Sequence, residues 1–386
     1  MNIANKKFSW QQPIWDNESD FINVKKRLNR FLPLIPYNEI TDIYEQLEQV
    51  WQRKAIILQA GDCAERISES NYSHVFQKIK FLHEMSSFLS KRVEKPVITV
   101  GRIAGQYTKP RSQQYEVYKD IILPVWRGDS VNKPELTIEA RRNDPKRMIL
   151  TYHAARKTLS SIHKYYNIIG NKQNSRIWTS HEALLLDYEK TQIRIAENSK
   201  QYLASTHWPW IGIRTLDINS PHISLLSKID NPVACKIDNT ITPSMISILC
   251  EKLNPNKIPG RLTFISRFGS KNIHKLGQLI DVVIDMDIPV LWMCDPMHGN
   301  THKTSMGYKC RNITEIIAEV ISFQTQVIER NACCAGIHLE TTAENIAECF
   351  GSGYNPNEEE LEKIICDPRL NSIQTLEVLS NWEGRF

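Results

Sequence analysis

Eight short, nearly continuous apolar runs, each ending in ionisable side chains and separated by longer stretches, several with helical periodicity, govern what this chain can fold into. They are AIILQAGDCAE (55–65), PVITVGRIAG (96–105), RIWTSHEA (176–183), WIGIRT (210–215), PVACKID (232–238), LTFISRFG (262–269), PVLWMCDPMHG (289–299) and AGIHLE (335–340). Runs without polar alternation suit strands buried on both faces, as in a parallel sheet. Their ends carry Asp62, Cys63, Glu65, Arg102, His181, Glu182, Arg214, Lys236, Arg267, Asp295, His298 and Glu340. Reactive residues at every strand end are what a (β/α)₈ TIM barrel needs, because its site is built at that face. A doubly wound sheet is the alternative, but neither G-x-G-x-x-G nor G-x-x-x-x-G-K-[ST] occurs.

The expected division is a helical extension over 1–54 and a catalytic barrel over 55–386. In the extension, Asp20 is expected to cap a helix through Phe21, Val24, Leu28 and Phe31, and Ile40, Ile43, Leu47, Val50 and Trp51 form a second apolar stripe that packs on a body or a partner. The stretch from 106 to 175 is long enough for a helix and an extended loop over the barrel mouth.

Composition limits the function classes. Apolar residues at 41% and charged residues at 24% are ordinary globular usage, and no apolar run reaches the ~18 residues that would span a membrane. The first residues have no apolar signal region, so a cytoplasmic location is expected. Forty-eight basic against 43 acidic residues leave +5, too little over 386 residues to imply nucleic acid. Nine irregularly spaced cysteines fit a reducing compartment and mostly buried thiols.

Three features carry chemistry. Cys63, His298, Glu340 and Asp367 would form a mixed thiolate, imidazole and carboxylate set, suited to a divalent transition ion and poorly to Mg²⁺. The competing reading is a core thiol and a hydrogen-bonded loop histidine. Arg102, Arg214, Lys236 and Arg267, with Lys109 and Arg111 of TKPRS, would grip oxyanions if they converge on one face, and are solvated or salt-bridged groups otherwise. The polar run DPMHGNTHKTSMGYKCRN (295–312) is either a functional loop on a rigid scaffold or ordinary surface.

The strings LQAGDCAE, VGRIAGQYTKPRS, RGDSVN, WTSHEALLLDYE, WIGIRT, LNPNKIPGRLTFISRFG, CDPMHGNT, GIHLE and CDPRLN resemble the type II 3-deoxy-D-arabino-heptulosonate 7-phosphate (DAHP) synthases, colinearly from about 55 to 380. The resemblance implies a (β/α)₈ barrel that condenses phosphoenolpyruvate with erythrose 4-phosphate at the entrance to the shikimate pathway. It places Cys63, His298, Glu340 and Asp367 on the metal ligands, with Mn²⁺ or Co²⁺ expected and Zn²⁺ or Fe²⁺ as alternatives. It places Arg102, Arg214, Lys236 and Arg267 on phosphoenolpyruvate, and Lys109, Arg111 and Ser112 on the aldose phosphate. Cys63, Arg102, Lys236 and His298 are expected to act in catalysis, with Glu182 a candidate for proton handling. A homo-oligomer, dimer or tetramer, is expected, with no nucleic-acid or membrane partner.

Two departures stand out. Ile213 replaces a glutamate of the family, and Ile237-Asp238-Asn239-Thr240 replaces a V-G-P-S-like string; both are expected beside the phosphoenolpyruvate pocket. They leave open a sibling reaction on an imino sugar phosphate giving the amino analogue, or a weakened homologue serving as a regulatory partner. The apparent shortness between the second and third strands implies a compact, weakly regulated form of secondary-metabolite pathways, phenazine-type.

Overall fold

The structure, a computed structural model, describes residues 11–384 apart from 120, 170–175, 363 and 365. All eight runs form strands: β1 (Ile56–Gly61), β2 (Val97–Gly101), β3 (Ile177–Thr179), β4 (Trp210–Ile211), β5 (Val233–Ile237), β6 (Leu262–Ser266), β7 (Val290–Cys294) and β8 (Cys333–Glu340). They make one parallel sheet in the order β3, β2, β1, β8, β7, β6, β5, β4. Its two edges meet just past β3, where Trp210 N donates to His181 O at 3.1 Å and Ala183 N donates to Trp210 O at 2.9 Å. The sheet is therefore a closed cylinder, as expected.

Register decides what the rim gathers. Gly61 pairs with Glu340 and Ala60 with Gly101, so Cys63, Arg102 and Glu340 emerge at one level. Ser266 pairs with both Ile237 and Cys294, which brings Lys236, Arg267 and Asp295 to the same end.

The extension supplies α1 (Glu18–Leu28) and α2 (Tyr37–Trp51). The cap of α1 is Asn17, whose side chain accepts from Asp20 N, so Asp20 lies inside the first turn and not at its cap. On α2, Ile43, Leu47 and Val50 are fully buried against Trp178, Trp208, Trp210, Ile57 and Met293 inside the barrel. At about 1.5–3 kcal/mol for each fully buried aliphatic side chain, this stripe is a substantial part of the barrel's closure.

Helices follow most strands: α3 (Tyr72–Val93) after β1, α4 (Arg147–Ile169) after β2, α5 (Pro221–Leu226) after β4, α6 (Pro243–Leu253) after β5, α7 (Leu276–Asp285) after β6, α8 (Ile313–Ile328) after β7 and α9 (Ser372–Ser380) after β8. The third repeat departs from the strand–helix expectation. It holds only the turn Leu186–Glu189 and a hairpin of Ile193–Ile195 with Gln201–Leu203, whose connection includes Ser199 at φ 66°. Between β2 and α4, a second hairpin pairs Tyr115–Tyr118 with Ile121–Pro124. Seven of the nine cysteines are buried and all nine are free thiols. Among the described residues no helix is long and apolar enough to cross a membrane.

Candidate active site

The C-terminal rim encloses a cavity of about 150 Å³. Its wall includes Cys63, Arg102, Lys109, Arg214, Lys236, Arg267, His298, Glu340 and Asp367, so nine of the eleven expected site residues converge there. Arg111 and Ser112 stand just outside. Ser112 Oγ accepts from Arg214 Nε at 3.2 Å and Nη2 at 3.1 Å, while Arg111 pairs with Glu116 at 3.1 Å on the second hairpin.

Cys63, Glu340 and Asp367 present ligand atoms that all lie within 4.8 Å of one another. The expected fourth ligand, His298, lies outside this group: its Nε2 is 3.1 Å from Glu340 Oε1 and its Nδ1 is 2.7 Å from Asp295 Oδ2. A carboxylate on one ring nitrogen is the usual way of orienting the other toward a metal. The ammonium of Lys109 touches Cys63 Sγ and lies 2.6 Å from Asp367 Oδ2, so the cluster already attracts positive charge. Burial, the Cys366 hydrogen bond and the charge of Glu340 push the Cys63 thiol well above its ordinary value. A divalent cation would reverse that balance, because binding expels the thiol proton. A buried soft thiol beside two carboxylates fits such an ion.

Glu340 is fully buried and bonded by Arg102 Nη2 at 3.0 Å and Arg311 Nη1 at 2.8 Å. Burial would raise its carboxyl, but His298, Arg311 and Arg102 hold it well below the usual range. Lys236 Nζ sits 2.7 Å from Asp295 Oδ2; burial lowers the lysine even beside that carboxylate. Asp295, which burial would raise, is held well below the carboxylate range by His298 and Lys236.

Glu182 also lines the cavity, and its Oε1 is buried with no hydrogen-bond partner among the described residues. Burial raises its carboxyl even with Lys236, Arg214, Lys109 and Arg102 nearby. A Cβ on Gly212 would stand 2.0 Å from Glu182 Oε1, so a larger residue there would displace the carboxylate. Ile213 lines the cavity as expected. The 237–240 string does not: Ile237 faces the helix layer because strand alternation turns Lys236 inward, and Asp238 to Thr240 form a turn at the rim.

Lys309 and Arg311 are site residues that the sequence reading missed individually. Lys309 Nζ is 2.5 Å from Asp367 Oδ1, and Arg311 is fully buried on Glu340. Both belong to the 295–312 polar run, which was the available signal.

Six cations, Arg102, Lys109, Arg214, Lys236, Arg267 and Lys309, face three carboxylates around this cavity. A closed barrel with that rim is a barrel enzyme built for anions. The comparisons with known proteins narrow the class. The model of the class-II DAHP synthetase family matches residues 2–169 and 167–381. A probable phospho-2-dehydro-3-deoxyheptonate aldolase of Pseudomonas fluorescens is 37% identical over 386 residues, covering 97% of this chain and 94% of the relative. Phospho-2-dehydro-3-deoxyheptonate aldolases of Mycolicibacterium smegmatis and Streptomyces coelicolor are each 33% identical, over 98% and 95% of this chain and 92% and 93% of their own lengths. The structure of the Francisella tularensis enzyme of the same name superposes with a TM-score of 0.55 at 14% identity, over 92% of this chain and 95% of that one, a likeness of fold. The chain belongs to the class-II DAHP synthetase family, whose members are 3-deoxy-7-phosphoheptulonate synthases.

Proposed function

We propose that this enzyme condenses phosphoenolpyruvate with erythrose 4-phosphate and water, giving 3-deoxy-D-arabino-heptulosonate 7-phosphate and inorganic phosphate for the shikimate pathway. The observation that carries this reading is the ring of six cations around one cavity in a chain of this family. Two phosphates and a carboxylate must be brought together, and fixed cations in a water-poor pocket do that at no reorganisation cost.

In this reading Arg102, Arg214, Lys236 and Arg267 hold phosphoenolpyruvate. Arg267 donates from Nη2 to His298 O at 3.3 Å and Lys236 is held by Asp295, so both are set before substrate arrives. Lys109, Arg111 and Ser112 hold the aldose phosphate, and the Ser112–Arg214 bonds tie the two subsites together. Cys63, His298, Glu340 and Asp367 would hold a divalent ion, Mn²⁺ or Co²⁺ before Zn²⁺ or Fe²⁺, which when bound supplies Lewis-acid polarisation of the aldehyde oxygen. The enol carbon attacks the aldehyde carbon, water adds at the former enol-ether carbon, and the phosphate leaves as that carbon–oxygen bond breaks. Glu182 is assigned to take the proton of that water, on the strength of its unpaired, buried oxygen on the cavity wall.

The division into an extension, 1–54, and a barrel, 55–386, is part of this reading, supported by α2 closing the base of the cylinder. So is a compact, weakly regulated secondary-metabolism form. The alignment to the Mycolicibacterium enzyme runs over 433 positions, more than the 386 residues of this chain, whereas the Pseudomonas alignment needs 386. Incubating the purified enzyme and Mn²⁺ with phosphoenolpyruvate and erythrose 4-phosphate, and weighing the product, tests the activity. The seven-carbon sugar acid phosphate is expected; no such mass at stoichiometric enzyme would overturn it.

A further inference from the structure

Arg102 is anchored from inside the barrel by hydrogen bonds that can run in only one direction. Its Nη1 lies 2.5 Å from His338 Nε2, and His338 Nδ1 lies 2.7 Å from Gln59 Oε1. Gln59 Nε2 donates to Ser180 Oγ at 2.8 Å, and Ser180 Oγ donates to the backbone oxygen of Trp208 at 2.5 Å. All three connecting side chains are fully buried.

The two ends fix everything between them. A guanidinium has only donors and a backbone carbonyl has only lone pairs. His338 Nε2 must therefore accept, which leaves the ring proton on Nδ1 to meet the oxygen of Gln59. The amide nitrogen of Gln59 then faces Ser180, whose hydroxyl proton goes to Trp208. Turning over any one group sets two donors or two acceptors against each other in a fully buried chain of side chains.

Arg102 spends its other donors on fixed acceptors: Nε on Asp62 O at 2.9 Å, and Nη2 on Cys63 O at 3.2 Å and Glu340 at 3.0 Å. One Nη1 hydrogen remains beyond these bonds among the described residues. We propose that His338, kept in its Nδ1–H form by Gln59 and Ser180, is a positioning residue that selects which Arg102 donor is presented to phosphoenolpyruvate. This inference rests on the reading that Arg102 contacts that substrate.

The test measures phosphoenolpyruvate binding by calorimetry without the second substrate, together with both KM values, in His338→Leu, Gln59→Leu, His338→Gln and Arg102→Gln. His338→Leu and Gln59→Leu leave a buried donor unpaired and are expected to weaken phosphoenolpyruvate binding about tenfold. The KM for the aldose phosphate should stay within about twofold. His338→Gln, which keeps an acceptor toward Arg102 and a donor toward Gln59, should restore most of the loss. Unchanged binding in the leucine variants overturns the proposal, as does equal loss of both KM values and kcat. If Arg102→Gln leaves binding intact, the assignment of Arg102 fails instead. A readout free of folding effects is ¹⁵N NMR of the wild-type histidines, with the His338 signal identified by its absence from His338→Gln: an Nδ1–H ring supports the proposal and an Nε2–H ring overturns it.

Discussion

Replacing Arg311 with methionine would leave Glu340 charged, buried and short of one partner. Arg311 and Glu340 are both fully buried, 2.8 Å apart, and Arg311 Nε also donates to Thr301 Oγ1 at 2.8 Å. Breaking a buried pair from one side costs about 3–5 kcal/mol, because the remaining charge is left unpaired. Glu340 keeps Arg102 and His298, which argues for the lower end, about 3 kcal/mol. Unfolding entropy near 2.1 cal/mol/K per residue gives roughly 0.8 kcal/mol/K for this chain, so the melting temperature should fall by about 4 °C. Differential scanning calorimetry in EDTA measures this without contributions from metal binding. Glu340→Gln in the same background removes the stranded charge, so the double variant should be more stable than the sum of the single losses by about 1–2 kcal/mol. Strict additivity within about 0.5 kcal/mol would refute the claim that the charge on Glu340, and not lost packing, drives the effect.

Chelation by EDTA is expected to abolish turnover and Mn²⁺ or Co²⁺ to restore it; full turnover in chelator would remove the metal from the mechanism. Arg111→Ala should raise the KM for erythrose 4-phosphate about tenfold or more while leaving that for phosphoenolpyruvate within about twofold, and the reverse pattern would mean the two subsites are exchanged. For Glu39, burial would raise the carboxyl, but the His207 hydrogen bond and the nearby His207 and Arg176 bring it down to about 2 from an ordinary 4.5. A lowered folded value stabilises above the unfolded value and is lost as pH falls through the folded one. Glu39→Gln should therefore destabilise by about 2–3 kcal/mol at pH 7, with the gap to wild type closing between about pH 4.5 and 2; a gap constant with pH in urea titrations would contradict this.

The architecture was largely written in the apolar runs, because a strand buried on both faces needs a continuous run and its polar terminus must lie at the rim. That same logic located Cys63, Arg102, Lys236 and Glu340. It failed where a loop decides direction. The 295–312 run announced itself by composition, but only the folded chain shows that Lys309 and Arg311 turn inward onto Asp367 and Glu340. Arg111 and Ser112 follow Lys109 by two and three residues, yet the chain turns outward there and leaves them at the rim. The third repeat misled for another reason: Ile193 and Ile195 flank Arg194 with strand periodicity, and the short hairpin they form replaces an expected helix. The 237–240 string sits near Lys236 in sequence but alternation and a turn carry it away from the cavity.

The junction between β3 and β4 rests on very few backbone bonds, since those strands span three residues and two. The pairs β2–β3 and β4–β5 share three and two registered positions, and each of the other five neighbour pairs shares four or more. With the fewest registered bonds, the staves β3 and β4 are the part of the cylinder expected to open first in hydrogen exchange. Glu182 and Gly212 flank this joint, so this part of the cavity wall is also the part of the barrel with the fewest bonds holding it shut. The five better-registered pairs hold the cations on the opposite side of the rim, so the wall least tied down is the one that carries Glu182.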